Sequence, residues 1–97
     1  MKQTNRKERK EIMKAFNYEI KDEIGIHARP AGLLVKEAKK YSSKIVVKVN
    51  GKSAEATKLR AIMSLGVKHG QTVEIDVEGD DEETAYEDIK AFFEQNL

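Results

Sequence analysis

The sequence predicts an α+β protein: an open-faced βαββαβα sandwich, with a four-stranded, mainly antiparallel sheet carrying three helices on one face. Three observations predict it. Short stretches alternate apolar and charged residues with the period of two that marks half-buried strands. Longer stretches repeat apolar residues at i, i+3, i+4 and i+7, the stripe of an amphipathic helix. Asn50-Gly51 falls between two of the strand patterns and has the residue types of a two-residue hairpin turn. Strands with one apolar and one charged face need cover on one side only, so the helices belong in a single layer.

The elements follow in order. Phe16, Tyr18 and Ile20 alternate with Asn17, Glu19 and Lys21 and give the first strand. Residues 22–26 form a loop, and Pro30 suits the first turn of a helix, where its missing N–H costs nothing. Ala31, Leu34, Val35 and Ala38 line the inner side of that helix to about Lys40, with Lys36, Lys39 and Lys40 outside or in the last turns. Ile45, Val47 and Val49 make the second strand and residues 52–56 the third, across the Asn50-Gly51 turn. Thr57 is the expected N-cap of a brief helix with Leu59, Ile62 and Met63 inward and Gly66 as its stop. Val73, Ile75 and Val77 alternate with Glu74, Asp76 and Glu78 in the fourth strand. Asp80 and Glu83 have capping-box spacing ahead of a final helix with Ala85, Ile89, Phe92 and Phe93 inward.

Composition narrows the function. The 97 residues suit one domain, with 39% hydrophobic and 36% charged residues. The formal charge of +1 conceals an asymmetry, because residues 1–12 carry five Lys or Arg against Glu8 and Glu11. That segment is expected to be a basic, disordered arm ahead of a mildly acidic domain over residues 13–97, and Met13 is a second candidate start. A mildly acidic body argues against a nucleic-acid-binding domain. The absence of cysteine removes disulfides, thiolate catalysis and thiolate metal sites, and two histidines are too few for a histidine metal cage. No apolar run approaches the ~18–20 residues of a membrane span, and the basic N-terminus lacks the apolar stretch of a secretory signal. These features predict a cytoplasmic protein without membrane insertion.

The chemistry concentrates in Gly25-Ile26-His27-Ala28-Arg29-Pro30-Ala31. The segment sets a histidine where a loop becomes a helix, beside free backbone N–H groups and the positive end of the helix dipole. That environment opposes an imidazolium and favours the neutral, nucleophilic ring. A phosphoryl group on the ring would meet the N–H groups of Ala28 and Arg29, and the Arg29 guanidinium could add paired, charge-assisted hydrogen bonds. Gly25 permits an unusual backbone turn just before the site.

This motif, followed by an amphipathic helix, by Asn50-Gly51-Lys52-Ser53, by Met63-Ser64-Leu65-Gly66-Val67 and by Glu78-Gly79-Asp80-Asp81-Glu82, resembles the histidine-containing phosphocarrier HPr family of the bacterial phosphoenolpyruvate-dependent sugar phosphotransferase system. The likeness spans about residues 14–97. It implies that His27 accepts phosphate on Nδ1 from phosphorylated enzyme I and passes it to the A domain of a sugar-specific enzyme II, assisted by Arg29. It implies a carrier rather than an enzyme, monomeric and without metal or cofactor. Docking in the family uses the first and second helices, which places Ala28, Gly32, Lys36, Leu59, Arg60, Ala61, Met63 and Ser64 at the partner surface.

Two positions depart from the family pattern. Lys58 stands where many members carry a serine phosphorylated by a regulatory kinase, and Arg60 occupies an often apolar interface position. Thr57, next door, reads as a cap. The departures motivate a second reading, a regulatory paralogue that binds partners with little phosphate flux. A third reading, RNA binding through the basic arm, has only residues 1–12 to support it, and a solvated tail explains them as well. His69 reads as a surface histidine, Asn50-Gly51-Lys52-Ser53 lacks the helix of a phosphate loop, and Asp80 to Glu83 lack the spacing of a calcium loop.

Overall fold

The computed structural model describes residues 14–97, so the basic arm and Met13 lie outside the described residues. The chain runs β1 (Lys14–Glu19), α1 (Ala28–Ala38), β2 (Lys44–Val49), β3 (Lys52–Glu55), α2 (Leu59–Ser64), β4 (Thr72–Glu78) and α3 (Glu82–Asn96). This is the expected βαββαβα order. The strands form one sheet in the order β1-β4-β2-β3, and every neighbouring pair is antiparallel. Phe16 pairs with Ile75, which pairs in turn with Val47, so the apolar residues of three strands share one face. At the β2–β3 turn Asn50 and Gly51 both have positive φ, 51° and 79°, the backbone of a type I′ hairpin.

The helices cover the apolar face. Leu34, Ala31 and Ala38 of α1, Ile62 of α2 and Ala85, Ile89 and Phe93 of α3 are fully buried against Val47, Val73, Ile75 and Val77. Phe93 organises one end of the core. Its ring meets Phe16, Tyr18 and Phe92 edge-on at centroid distances of 5.9, 5.6 and 6.2 Å, within the favourable range for aromatic pairs. The opposite sheet face stays polar. There Lys48 Nζ lies 2.7 Å from Asp76 Oδ2, and the ion pair holds the Asp76 carboxyl below its ordinary range despite its burial.

Several local expectations shift. Helix α1 ends at Ala38 rather than Lys40, and Lys39 is its C-cap. Strand β3 ends at Glu55, one residue before the expected limit. The N-cap of α2 is Lys58, not Thr57, because the Lys58 carbonyl accepts the first helical bond, from Ile62 N–H at 3.0 Å. Leu59 and Met63 do not point inward: they are 45% and 41% exposed, and only Ile62 of that helix is buried. A six-residue helix is too short to bury a full stripe. Gly66, just past the end, takes the left-handed conformation (φ 64°) that stops it.

The cap of α3 also moves by one residue. Asp81 holds the N-cap position, but its carboxylate turns across to the segment just before β2 and accepts from Ser42 N–H, Ser43 N–H and the Ser43 hydroxyl. Gly79 N–H then donates to Glu82 Oε1 at 3.0 Å, so the three-residue reciprocal pairing joins Gly79 and Glu82 rather than Asp80 and Glu83. Phe92 is half-buried, while Phe93 is fully buried.

Candidate functional site

Histidine 27 is itself the N-cap of α1, with extended backbone (φ −118°, ψ −174°) and no side-chain capping bond. Its carbonyl accepts from Ala31 N–H at 2.9 Å and starts the helix. The N–H groups of Ala28 and Arg29 belong to the first turn and, among the described residues, have no acceptor; Pro30 supplies no N–H at all. Two unpaired donors therefore follow the histidine directly. Its side chain is 36% exposed, and Arg29 is exposed. With Asp22, Pro30, Leu33 and Asn96 they line an open hollow of about 210 Å³.

The loop before the helix is held from three sides. Gly25 has φ 90°, and its N–H donates to the Asp22 carbonyl at 3.1 Å. Ile26 N–H donates to the Val67 carbonyl at 3.1 Å, tying the loop to the segment after α2, and the Ile26 side chain is buried. Lys21 and Asp22 N–H both donate to the Leu97 main-chain oxygen, at 2.6 and 2.7 Å, so the end of α3 braces the approach. The fixed loop leaves the imidazole at the surface, free of the core.

The expected docking residues spread over α1 and α2, which pack against each other. Ala28, Lys36, Leu59, Arg60, Met63 and Ser64 are exposed, and Gly32 and Ala61 are half-buried. Leu33, 42% exposed, and Ile24, 67% exposed, are further large apolar groups left open to solvent beside them in the chain. Neither was singled out by the sequence, whose helical stripe marks only the inward residues. Lys58, also exposed, adds a cation at the start of α2. Among the described residues no group of three His, Cys, Asp or Glu is placed to hold a metal ion, and no helix is long and apolar enough to cross a membrane.

Asp22 is the polar residue that sequence reasoning passed over as part of a loop. Its Oδ1 accepts from Ile24 N–H at 2.8 Å and lies 3.9 Å from His27 Nε2. The only signal in the sequence was an aspartate two residues before the Ile24 amide it accepts from, a common turn arrangement.

A family model described as the PTS HPr component phosphorylation site matches residues 14–95. The chain belongs to the HPr family. It is 42% identical over 85 residues to the phosphocarrier protein HPr of Mycoplasma genitalium, covering 87% of this chain and 97% of that one. It is 39% identical over 77 residues to the HPr-like protein Crh of Halalkalibacterium halodurans, covering 79% and 92%. Among solved structures, HPr of Thermoanaerobacter tengcongensis superposes with a TM-score of 0.80 at 44% identity, covering 84% of this chain and 92% of that one. An HPr dimer from the same organism superposes with a TM-score of 0.68 at 45% identity, covering 80% of this chain and 90% of that one. The open-faced α+β sandwich is thus the HPr fold, and HPr is a phosphocarrier of the phosphotransferase system rather than an enzyme.

Proposed function

We propose that this HPr-family chain carries phosphate on His27, receiving it from phosphorylated enzyme I and giving it to the A domain of a sugar-specific enzyme II. One observation carries the reading: a surface imidazole at a helix N-cap, followed at once by two unpaired N–H groups and an exposed guanidinium. The ring supplies the nucleophile. The Nδ1 lone pair forms the N–P bond while the donor's phosphoryl-bearing atom keeps the electron pair of the bond that breaks, and donation onward reverses these roles. Ala28 and Arg29 N–H would donate to phosphoryl oxygens, helped by the dipole of α1, and the Arg29 side chain would add charge-assisted bonds.

The same surface serves docking. Leu59, Met63, Ala61, Ser64, Ala28 and Gly32 offer small and apolar contacts, while Lys36 and Arg60 suit acidic partner rims and speed encounter at low salt. The carrier works as a cytoplasmic monomer, since one exposed imidazole must visit two partners in turn.

A regulatory role is the second reading, favoured by Lys58 and Arg60 and by the likeness to the HPr-like protein Crh. A chase experiment separates the two. Protein labelled through phosphoenolpyruvate and enzyme I should lose its label to an added enzyme II A domain, and His27→Ala should take up none. Label that stays on the carrier would favour the regulator, and label on the His27→Ala variant would reject the site.

A further inference from the structure

We propose that Asp22 is a positioning residue for the His27 imidazole, its carboxylate keeping the ring proton on Nε2 and balancing the positive charge the ring acquires with a phosphoryl group. The proposal rests on the reading of His27 as the phosphate carrier and adds a residue to that site.

The geometry is specific. Asp22 Oδ1 lies 3.9 Å from His27 Nε2, with the two side chains 29% and 36% exposed in the shared hollow. At that distance the contact is an ion-pair approach rather than a hydrogen bond, and a modest turn of the ring closes it once the ring is charged. The carboxylate is not free to wander. Oδ1 accepts from Ile24 N–H at 2.8 Å, Asp22 N–H is held by the Leu97 oxygen, and the Asp22 carbonyl accepts from Gly25 N–H and lies 3.3 Å from His69 Nδ1. Among the described residues, the charged side chains lining the hollow with the ring are Asp22 in its own loop and Arg29 on α1; α3 contributes the neutral Asn96, and His69 Nδ1 approaches the Asp22 carbonyl.

The consequence follows from imidazole chemistry. Which nitrogen holds the proton in a neutral ring is set by what faces the other, and a carboxylate opposite Nε2 holds the proton there. The lone pair is then on Nδ1, the nitrogen that attacks. When the Nδ1–P bond forms, the donor atom leaves with the electron pair of its bond to phosphorus and the His27 ring becomes cationic, with its proton still on Nε2. Asp22 is then paired with a full positive charge. Onward transfer returns the electron pair to Nδ1 with no proton moved, so the carboxylate serves both directions.

The bland alternative is that Asp22 merely builds the turn through Ile24 N–H. Asp22→Asn separates the two roles, since the amide oxygen can still accept from Ile24 but carries no charge. The test measures the tautomer ratio of ¹⁵N-labelled His27 in the unphosphorylated protein, and the rate of phosphate uptake from phosphorylated enzyme I. Expected for Asp22→Asn are unchanged melting, a smaller Nε2–H fraction and uptake slowed about threefold or more, as for loss of a partly exposed charge pair. Asp22→Ala should add a loss of thermal stability. Wild-type tautomer ratio in Asp22→Asn, whether or not uptake slows, would overturn the positioning role. Failure of the underlying reading looks different: wild-type protein would take up no phosphate, while the tautomer measurement would still report on Asp22.

Discussion

Gly25→Ala tests how the histidine loop is held. Gly25 sits at φ 90°, where a residue with a Cβ is strained by about 1–2 kcal/mol. Its added Cβ would collide with the Val67 carbonyl oxygen and lie 2.7 Å from Lys68 Cα. Both are backbone atoms, so no side chain can swing aside. The loop must lift, stretching the 3.1 Å bond from Ile26 N–H to Val67, worth about 1 kcal/mol, and exposing part of Ile26. The total is about 2–4 kcal/mol, or roughly 10–25 °C in Tm for a domain of this size. Urea unfolding and thermal melting followed by circular dichroism measure it. The comparison is Gly32→Ala, on α1 with nothing within 4 Å of the added carbon, which should be neutral or stabilising by up to about 1 kcal/mol. Equal, small effects in the two variants would refute the claim that the His27 loop is clamped against the segment after α2.

Phe93→Ala removes a fully buried ring with three edge-on aromatic neighbours, and should cost about 3–5 kcal/mol in urea unfolding. The Asp81 carboxyl is held below its ordinary range, chiefly by the Ser43 hydroxyl and then by the Ser42 N–H. Its contribution to stability is therefore present above the unfolded value of about 3.9 and lost as pH falls through the lower folded one. A pH series should show Asp81→Asn less stable than wild type at neutral pH, with the difference shrinking below about pH 4. Lys58→Ser should raise Tm, because a capping hydroxyl replaces a cation at the start of α2, worth about 0.5–2 kcal/mol. The same variant should also associate more slowly with an acidic partner at low salt, read by stopped-flow at two ionic strengths.

Much of the fold was written locally. The strands are amphipathic because only one sheet face is covered, and the Asn50-Gly51 turn needs the positive φ that those two residues tolerate. His27, Ala28 and Arg29 are consecutive, so a helix start after residue 27 suffices to bring a ring, two amides and a guanidinium together. What escaped the sequence depends on distant partners. Asp81 was recruited by Ser42 and Ser43, 39 and 38 residues earlier, which pushed the reciprocal cap to Gly79 and Glu82. Leu59 and Met63 sit on a helical stripe, but periodicity does not say which part of a short helix lacks a neighbour. Asp22 meets His27 only because residues 22–26 fold back on themselves, a turn that no apolar pattern encodes.

The most direct measurement is site-mapped mass spectrometry, kept at neutral to alkaline pH, of protein incubated with phosphoenolpyruvate and enzyme I. One phosphoryl group per chain, localised to the peptide bearing His27 and lost on mild acid treatment, is the predicted result. A phosphoryl group on any other residue, or an acid-stable one, would contradict the account.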